Sequence, residues 1–141
     1  MSSRREQILA AITTTLEAVP GAVGVWRSRA EALMRDEAPS IVIAPARDQP
    51  AVPRVSTRFI DNSLTLEVAV NARGLIPDQL ADPLLVAIHA ALMADRSVGG
   101  LAVDVRPGPT SWQLDKADLT SCWAVQQWTV DYRTSLAAID A

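Results

Sequence analysis

One cysteine, Cys122, and one histidine, His89, are all the soft metal ligands and thiols the chain contains. A disulfide framework is therefore excluded, and zinc sites built on four cysteines or on paired cysteines and histidines fail for lack of ligands. Lysine is nearly absent: the 13 basic residues are twelve Arg and Lys116 alone. Aromatics amount to 4%, and four of the six are Trp. No apolar run approaches the roughly eighteen residues of a membrane span. Met1-Ser2-Ser3-Arg4-Arg5 carries two arginines, but the stretch behind it is helical and broken by polar residues, so no signal peptide is expected. Neither GxxxxGK[ST] nor GxGxxG occurs, which leaves no phosphate loop. A net charge of −3 argues against a generically basic nucleic-acid binder. What remains is 141 residues, 49% hydrophobic and 21% charged: one globular domain over 1–141, expected to be soluble and cytoplasmic.

Arg4 to Val19 reads as an amphipathic helix, with Ile8, Ile12, Leu16 and Val19 on one stripe, Ser2 or Ser3 as cap, Glu6 placed to complete a capping box with Ser3, and Pro20-Gly21 as terminator. A short strand is expected over Val23 to Arg29 and a buried central strand over the continuous apolar run Ser40-Ile41-Val42-Ile43-Ala44, closed by Pro45. A loop is expected from Pro45 to Pro53. Residues 54–73 read as a long β-hairpin turning at Asp61-Asn62-Ser63. In its second strand Leu64, Leu66, Val68 and Val70 share one face, and Thr65, Glu67, Asn71 and Arg73 the other. Asp82-Pro83 reads as the start of a second helix running to about Ala94. A strand at Leu101 to Arg106, stopped by Pro107-Gly108-Pro109, and an alternating strand over 121–134 complete the chain. The expected order is α-β-β-β-β-α-β-β. It implies an α+β fold, a mostly antiparallel sheet with both helices on one face.

Candidate chemistry is sparse. His89 is the one available general base, yet no Ser or Cys sits in a nucleophile motif around it, so no enzyme activity is expected. Cys122 has Asp115 and Asp118 nearby with a single Lys116, the reverse of the electropositive setting a reactive thiol needs. Asp78 and Asp82 stand four apart, but Pro83 assigns Asp82 to a helix cap rather than to a two-carboxylate site. Trp112, Trp123 and Trp128 suit either core positions or anchors between protomers. Arg27, Arg29, Arg54, Arg58 and Arg73 alternate with apolar residues along strands and hairpin edges, a pattern that fits a solvated sheet face and an interface face equally. No metal or cofactor is expected.

An ordered set of stretches runs along the chain: Val25-Trp26-Arg27-Ser28-Arg29, Arg35-Asp36-Glu37-Ala38-Pro39-Ser40-Ile41-Val42-Ile43, Ala72-Arg73-Gly74 and Ala81-Asp82-Pro83-Leu84-Leu85. Ile88-His89-Ala90-Ala91-Leu92-Met93-Ala94-Asp95, Gly99-Gly100-Leu101-Ala102 and Gln126-Gln127-Trp128-Thr129-Val130-Asp131-Tyr132-Arg133-Thr134 follow in order. Together they resemble the tail terminator proteins of long-tailed bacteriophages, the minor tail protein U-like family. Trp128 stands where Tyr would be the more familiar residue. The resemblance implies a small α+β protein that assembles as a hexameric ring, caps the tail tube, ends its polymerisation and presents the surface joining tail to head. Its partners would be further copies of itself, the tail tube protein and a head–tail connector or head completion protein. DNA would pass through the lumen unread, no membrane would be involved, and the protein would lie at the head-proximal end of the virion tail after assembly in host cytoplasm. Arg54, Arg58, Glu67, Arg73 and Arg133 are the expected interface residues. A non-catalytic α+β ligand-binding or adaptor domain, monomeric or dimeric, is the alternative.

Overall fold

The computed structural model describes residues 2–29, 31, 33–50, 58–115, 117 and 120–141. Helix α1, Arg4–Glu17, begins where the sequence places it, because the Ser3 hydroxyl accepts from the Glu6 amide. Glu6 does not reach back to close a capping box. It turns to the strand below, where both its oxygens accept from Arg27 at 2.5 and 3.1 Å. The stripe Ile8, Leu9, Ile12 and Leu16 is buried. A short strand β1, Val25–Arg27, a 3-10 turn at Arg35–Glu37, and strands β2, Ser40–Pro50, and β3, Phe59–Arg73, come next. Helix α2, Pro77–Ala94, then leads to β4, Asp104–Leu114, and β5, Ser121–Ser135.

These five strands form one sheet in the order β1-β2-β3-β5-β4, antiparallel except for the β1–β2 pair. Its helix-facing side carries Ile41, Ile43, Leu64, Leu66, Val68, Val70, Ala124, Trp128 and Val130, all buried. Both helices close over that side, with Ile12, Leu16, Leu84 and Ile88 completing the core. The fold is therefore α+β with two helices on one face of a mostly antiparallel sheet, as the chain order implies.

Three expectations need correction. Asp61-Asn62-Ser63 is not a turn: β3 runs unbroken through it, and the order is α-β-β-β-α-β-β. Its polar side chains are satisfied across the strand instead, Asn62 donating to Thr134 Oγ1 at 3.2 Å and Ser63 to Asp131 at 2.8 Å. The long hairpin pairs β2 with β3, joined through residues of which 51–57 lie outside those described. Secondly, prolines do not stop β2 or β4. Pro45 and Pro107 each adjoin a register shift, and both strands have an outer edge free of pairing there, where a missing N–H costs little. Thirdly, α2 starts at Pro77, not Asp82, because its buried stripe of Pro77, Ala81, Leu84, Ile88 and Leu92 extends over a turn further back. Pro77 takes the first helical position, and Asp82 becomes an exposed residue of the helix surface.

Candidate interface surfaces

Strand alternation sends every second side chain to the sheet face that no helix covers. Along β3 these are Asp61, Ser63, Thr65, Glu67, Ala69, Asn71 and Arg73, opposite Arg133, Asp131, Thr129, Gln127, Val125, Trp123 and Ser121 of β5. Three of the expected interface residues, Glu67, Arg73 and Arg133, thus share one open face, but not one site. Asp61, the register partner of Arg133, and Arg73 are twelve residues apart on β3, roughly 40 Å at the usual strand rise.

Each sits in a different environment. Arg133 lies over the Phe59 ring at 5.5 Å and pairs with Asp61 at 2.7 Å, which raises its pKa further. Glu67, at the centre, lies between Ala44 and Gln127 and has no ion-pair partner among the described residues. Arg73 is turned inward: its Nη2 donates to the Leu33 carbonyl at 3.2 Å. It helps hold the segment after β1 over this end of the face. That segment is fastened again by Arg29, which stacks on Trp26 at 4.7 Å and forms a two-pronged pair with Glu37 at 2.6 and 3.0 Å. The Glu37 carboxyl is held below its usual range by Arg29 and then by the Met34 amide. Arg58 is exposed just before β3, its carbonyl accepting from the Leu136 amide at 2.8 Å. Arg54 lies outside the described residues.

The open face also carries a polar ladder at its Arg133 end. Asp131 accepts from Ser63 and from Arg106, the latter at 2.9 Å. Asp104, its neighbour on β4, pairs with Arg96 at 2.7 Å, and this contact lowers the Asp104 pKa. The result is a flat surface of small polar residues and balanced charge.

A second surface was not anticipated from the sequence. Between α2 and the outer half of β4 runs a groove of about 360 Å³, bounded by Leu85, Val86 and His89 on the helix and by Thr110, Trp112 and Gln126 on the strands. Trp112 is 55% and Val86 63% exposed. A second hollow continues from Trp112 to Asp78 and Asp82. His89 is exposed rather than partly buried, its ring 5.7 Å from that of Trp128, which lies in the core beneath. The signal for this groove was present in Asp78, Asp82 and Trp112, but reading Asp82 as a cap removed it from the helix surface. Trp123 faces the open side, and Cys122 is fully buried, its thiol pushed up in pKa by burial and then by Asp78. Among the described residues no three His, Cys, Asp or Glu gather as metal ligands, and no helix is long and apolar enough to cross a membrane.

An α+β protein with one helix-covered and one open sheet face, and a separate apolar groove at its β4 edge, is thus defined. No family profile matches the chain, and no curated protein matches it. Among solved structures it is similar to a chain described as part of the virion of a native gene transfer agent particle. The two are 9% identical, with a TM-score of 0.41, over 94% of this chain and 92% of the other.

Proposed function

We propose that this chain is a structural virion protein of the tail terminator type. In this reading it forms a hexameric ring on the tail tube, ends tube polymerisation and presents the surface to which the head is joined. It catalyses no reaction. The observation that carries the reading is the one-sided sheet. With both helices on one face, the other stays open in the single chain, and Glu67 at its centre has no ion-pair partner among the described residues. The groove at the β4 edge is a second and different surface. A closed ring needs such a pair of unlike patches, because each subunit meets its neighbours head to tail. The ordered run of terminator-like stretches supplies the rest. The −3 charge suits a lumen through which DNA slides without being held.

One feature favours the second reading, a ligand-binding domain. A recess of about 230 Å³ lies among Arg5, Asp48, Asn62, Tyr132 and Thr134, with Asp48 Oδ1 buried beside it and without a hydrogen-bond partner among the described residues. It falls below the usual few hundred Å³ of small-molecule sites, and Asp48 is already engaged by two donors. The terminator reading is preferred.

Electron microscopy of particles assembled with and without this chain tests it. Without it, tails are expected to be overlong and unjoined to heads, and the wild-type chain is expected to restore them. Arg54→Glu combined with Arg58→Glu is expected to restore them poorly. Tails of normal length and joining in the absence of the chain overturn the assignment.

A further inference from the structure

We infer that the groove between α2 and β4 receives an arginine from a second copy of this chain, and that Arg47 is that arginine. The inference rests on the ring reading above and names one of its contacts.

The groove has the chemistry of a guanidinium site. Trp112 offers an indole face, more than half exposed, on an edge strand. Asp78 and Asp82 stand one helical turn apart beside it, both exposed and without an ion-pair partner among the described residues. Two like charges at that spacing repel each other, and although Asp78 is eased by the N-terminus of α2, no described cation pairs with either. Leu85 and Val86 give an apolar wall against which the methylene stem of a long side chain can lie. A flat cation with several N–H donors satisfies all three features at once, stacking on the ring and bonding the carboxylates. A compact ammonium uses the indole less well, and this chain has one lysine against twelve arginines.

Among the described arginines, the source of that cation follows from which are already engaged, Arg73 donating to the Leu33 carbonyl and Arg4 being half-buried with its Nε enclosed. Arg96, Arg106 and Arg133 are held by Asp104, Asp131 and Asp61, and Arg5 by Asp48. Arg27 and Arg29 are held by Glu6 and Glu37. Arg47 is exposed, has no ion-pair partner among the described residues, and follows the irregularity that interrupts β2 after Pro45. It cannot reach its own groove. β2 and β4 are separated by β3 and β5, three strand spacings or roughly 14 Å across the sheet, and Arg47 follows the open face while Trp112 follows the helix side. Only a neighbour can supply it. The contact joins the β2 edge of one subunit to the β4 edge of the next, so it is head to tail and repeats around a ring.

Native mass spectrometry of the full chain, alone and bound to tail tubes, tests this. Asp82→Arg, Trp112→Ala and Arg47→Asp are each expected to weaken subunit association about tenfold, the scale of one anchoring contact. Asp82→Arg combined with Arg47→Asp is expected to recover it. All three residues are exposed, so melting temperatures of the variants are expected to match wild type and to exclude misfolding. If wild type assembles and the variants assemble equally well, the inference fails and the ring stands. Weakening by Asp82→Arg and Trp112→Ala but not by Arg47→Asp assigns the groove to another protein's side chain and overturns the second-copy contact. If wild type remains a monomer both alone and on tubes, the ring reading fails and takes this contact with it.

Discussion

Replacing Tyr132 by Phe isolates one buried polar contact with a calculable consequence. The Tyr132 hydroxyl, on a residue only 4% exposed, donates to Asp48 Oδ2 in a short hydrogen bond, and Arg5 donates to the same oxygen at 2.9 Å. The cluster ties β5, the outer half of β2 and the first turn of α1 together. A hydrogen bond to a charged acceptor contributes about 1.5–3 kcal/mol net. At about 2.1 cal/mol/K per residue, 141 residues unfold with an entropy of about 0.3 kcal/mol/K, so the loss corresponds to a melting temperature lower by about 5–10 °C near neutral pH. The same contact sets an alkaline limb. Burial, then the hydrogen bond and charge of Asp48, raise the Tyr132 pKa well above the ordinary tyrosine value. Its contribution is fully present below about pH 10, where the unfolded chain's tyrosine ionises, and is lost as pH rises from there toward the folded value. Tyr132 is the chain's one tyrosine, so its tyrosinate absorbance reports it directly. Calorimetric melts of wild type, Tyr132→Phe, Asp48→Asn and the double variant are expected to show non-additive losses at neutral pH and a narrowing gap above about pH 10. Additive losses, or a Tyr132→Phe melting temperature within about 2 °C of wild type, refute the reasoning.

The remaining expectations concern the core, the sheet edge and surface charge. Ile88→Ala empties a fully buried position of α2 and is expected to cost about 2–5 kcal/mol, measured by denaturant midpoint. Gly108→Ala places a Cβ 3.0 Å from the Gln127 carbonyl oxygen, so the β4 irregularity must shift, and a loss of about 1 kcal/mol is expected in the same assay. Arg133→Ala removes an ion pair whose side chains are 50% and 33% exposed, and is expected to leave the thermal melt close to that of wild type, so any loss of tail capping it causes is one of contact and not of folding. Glu6, Glu37, Asp95 and Asp104 all have lowered pKa values, each held down first by a side-chain hydrogen bond. Their stabilisation is present above about pH 4 and is lost as pH falls through the folded values, so melts from about pH 5 to pH 3 are expected to fall steadily, and less so with Arg27→Ala.

Periodicity located the fold because burial enforces it. Ile8, Ile12 and Leu16 could be read as one helix stripe and Leu64 to Val70 as one strand face, and each lies in the core. What failed was punctuation. Asp61-Asn62-Ser63 has the composition of a turn, but composition does not show that Asp131 to Arg133 will stand opposite, Asp131 and Thr134 accepting from Ser63 and Asn62 and Arg133 donating to Asp61. Pro45 and Pro107 stop a central strand but not an edge strand at a register shift, and whether a strand lies at the edge is a fact of the whole sheet. Asp82-Pro83 and Ile76-Pro77 are both plausible helix starts. The choice was made by Pro77 and Ala81 burying against the sheet, a tertiary effect that local capping preference does not contain.

The same limit governs the interface residues, with a physical reason for the pattern. A charged residue on a strand reads identically whether it is spent within the subunit or available to a partner. Arg73 and Arg133 were chosen with Glu67 on alternation alone, and alternation placed all three on the open face. Only the structure shows that Arg73 is bonded to Leu33 and Arg133 to Asp61, while Glu67 has no ion-pair partner among the described residues. Arginines that close internal contacts stiffen the surface they occupy, and those left over can bind elsewhere. Among the described residues Asp78 and Asp82 stand without an ion pair at the β4 edge and Arg47 without one across the sheet on β2, too far apart to neutralise one another within one chain, while Glu67 is the diagonal neighbour of Arg47 on the open face. That separation favours association head to tail over a symmetric pair. The open face and the groove would each then meet a partner unlike itself.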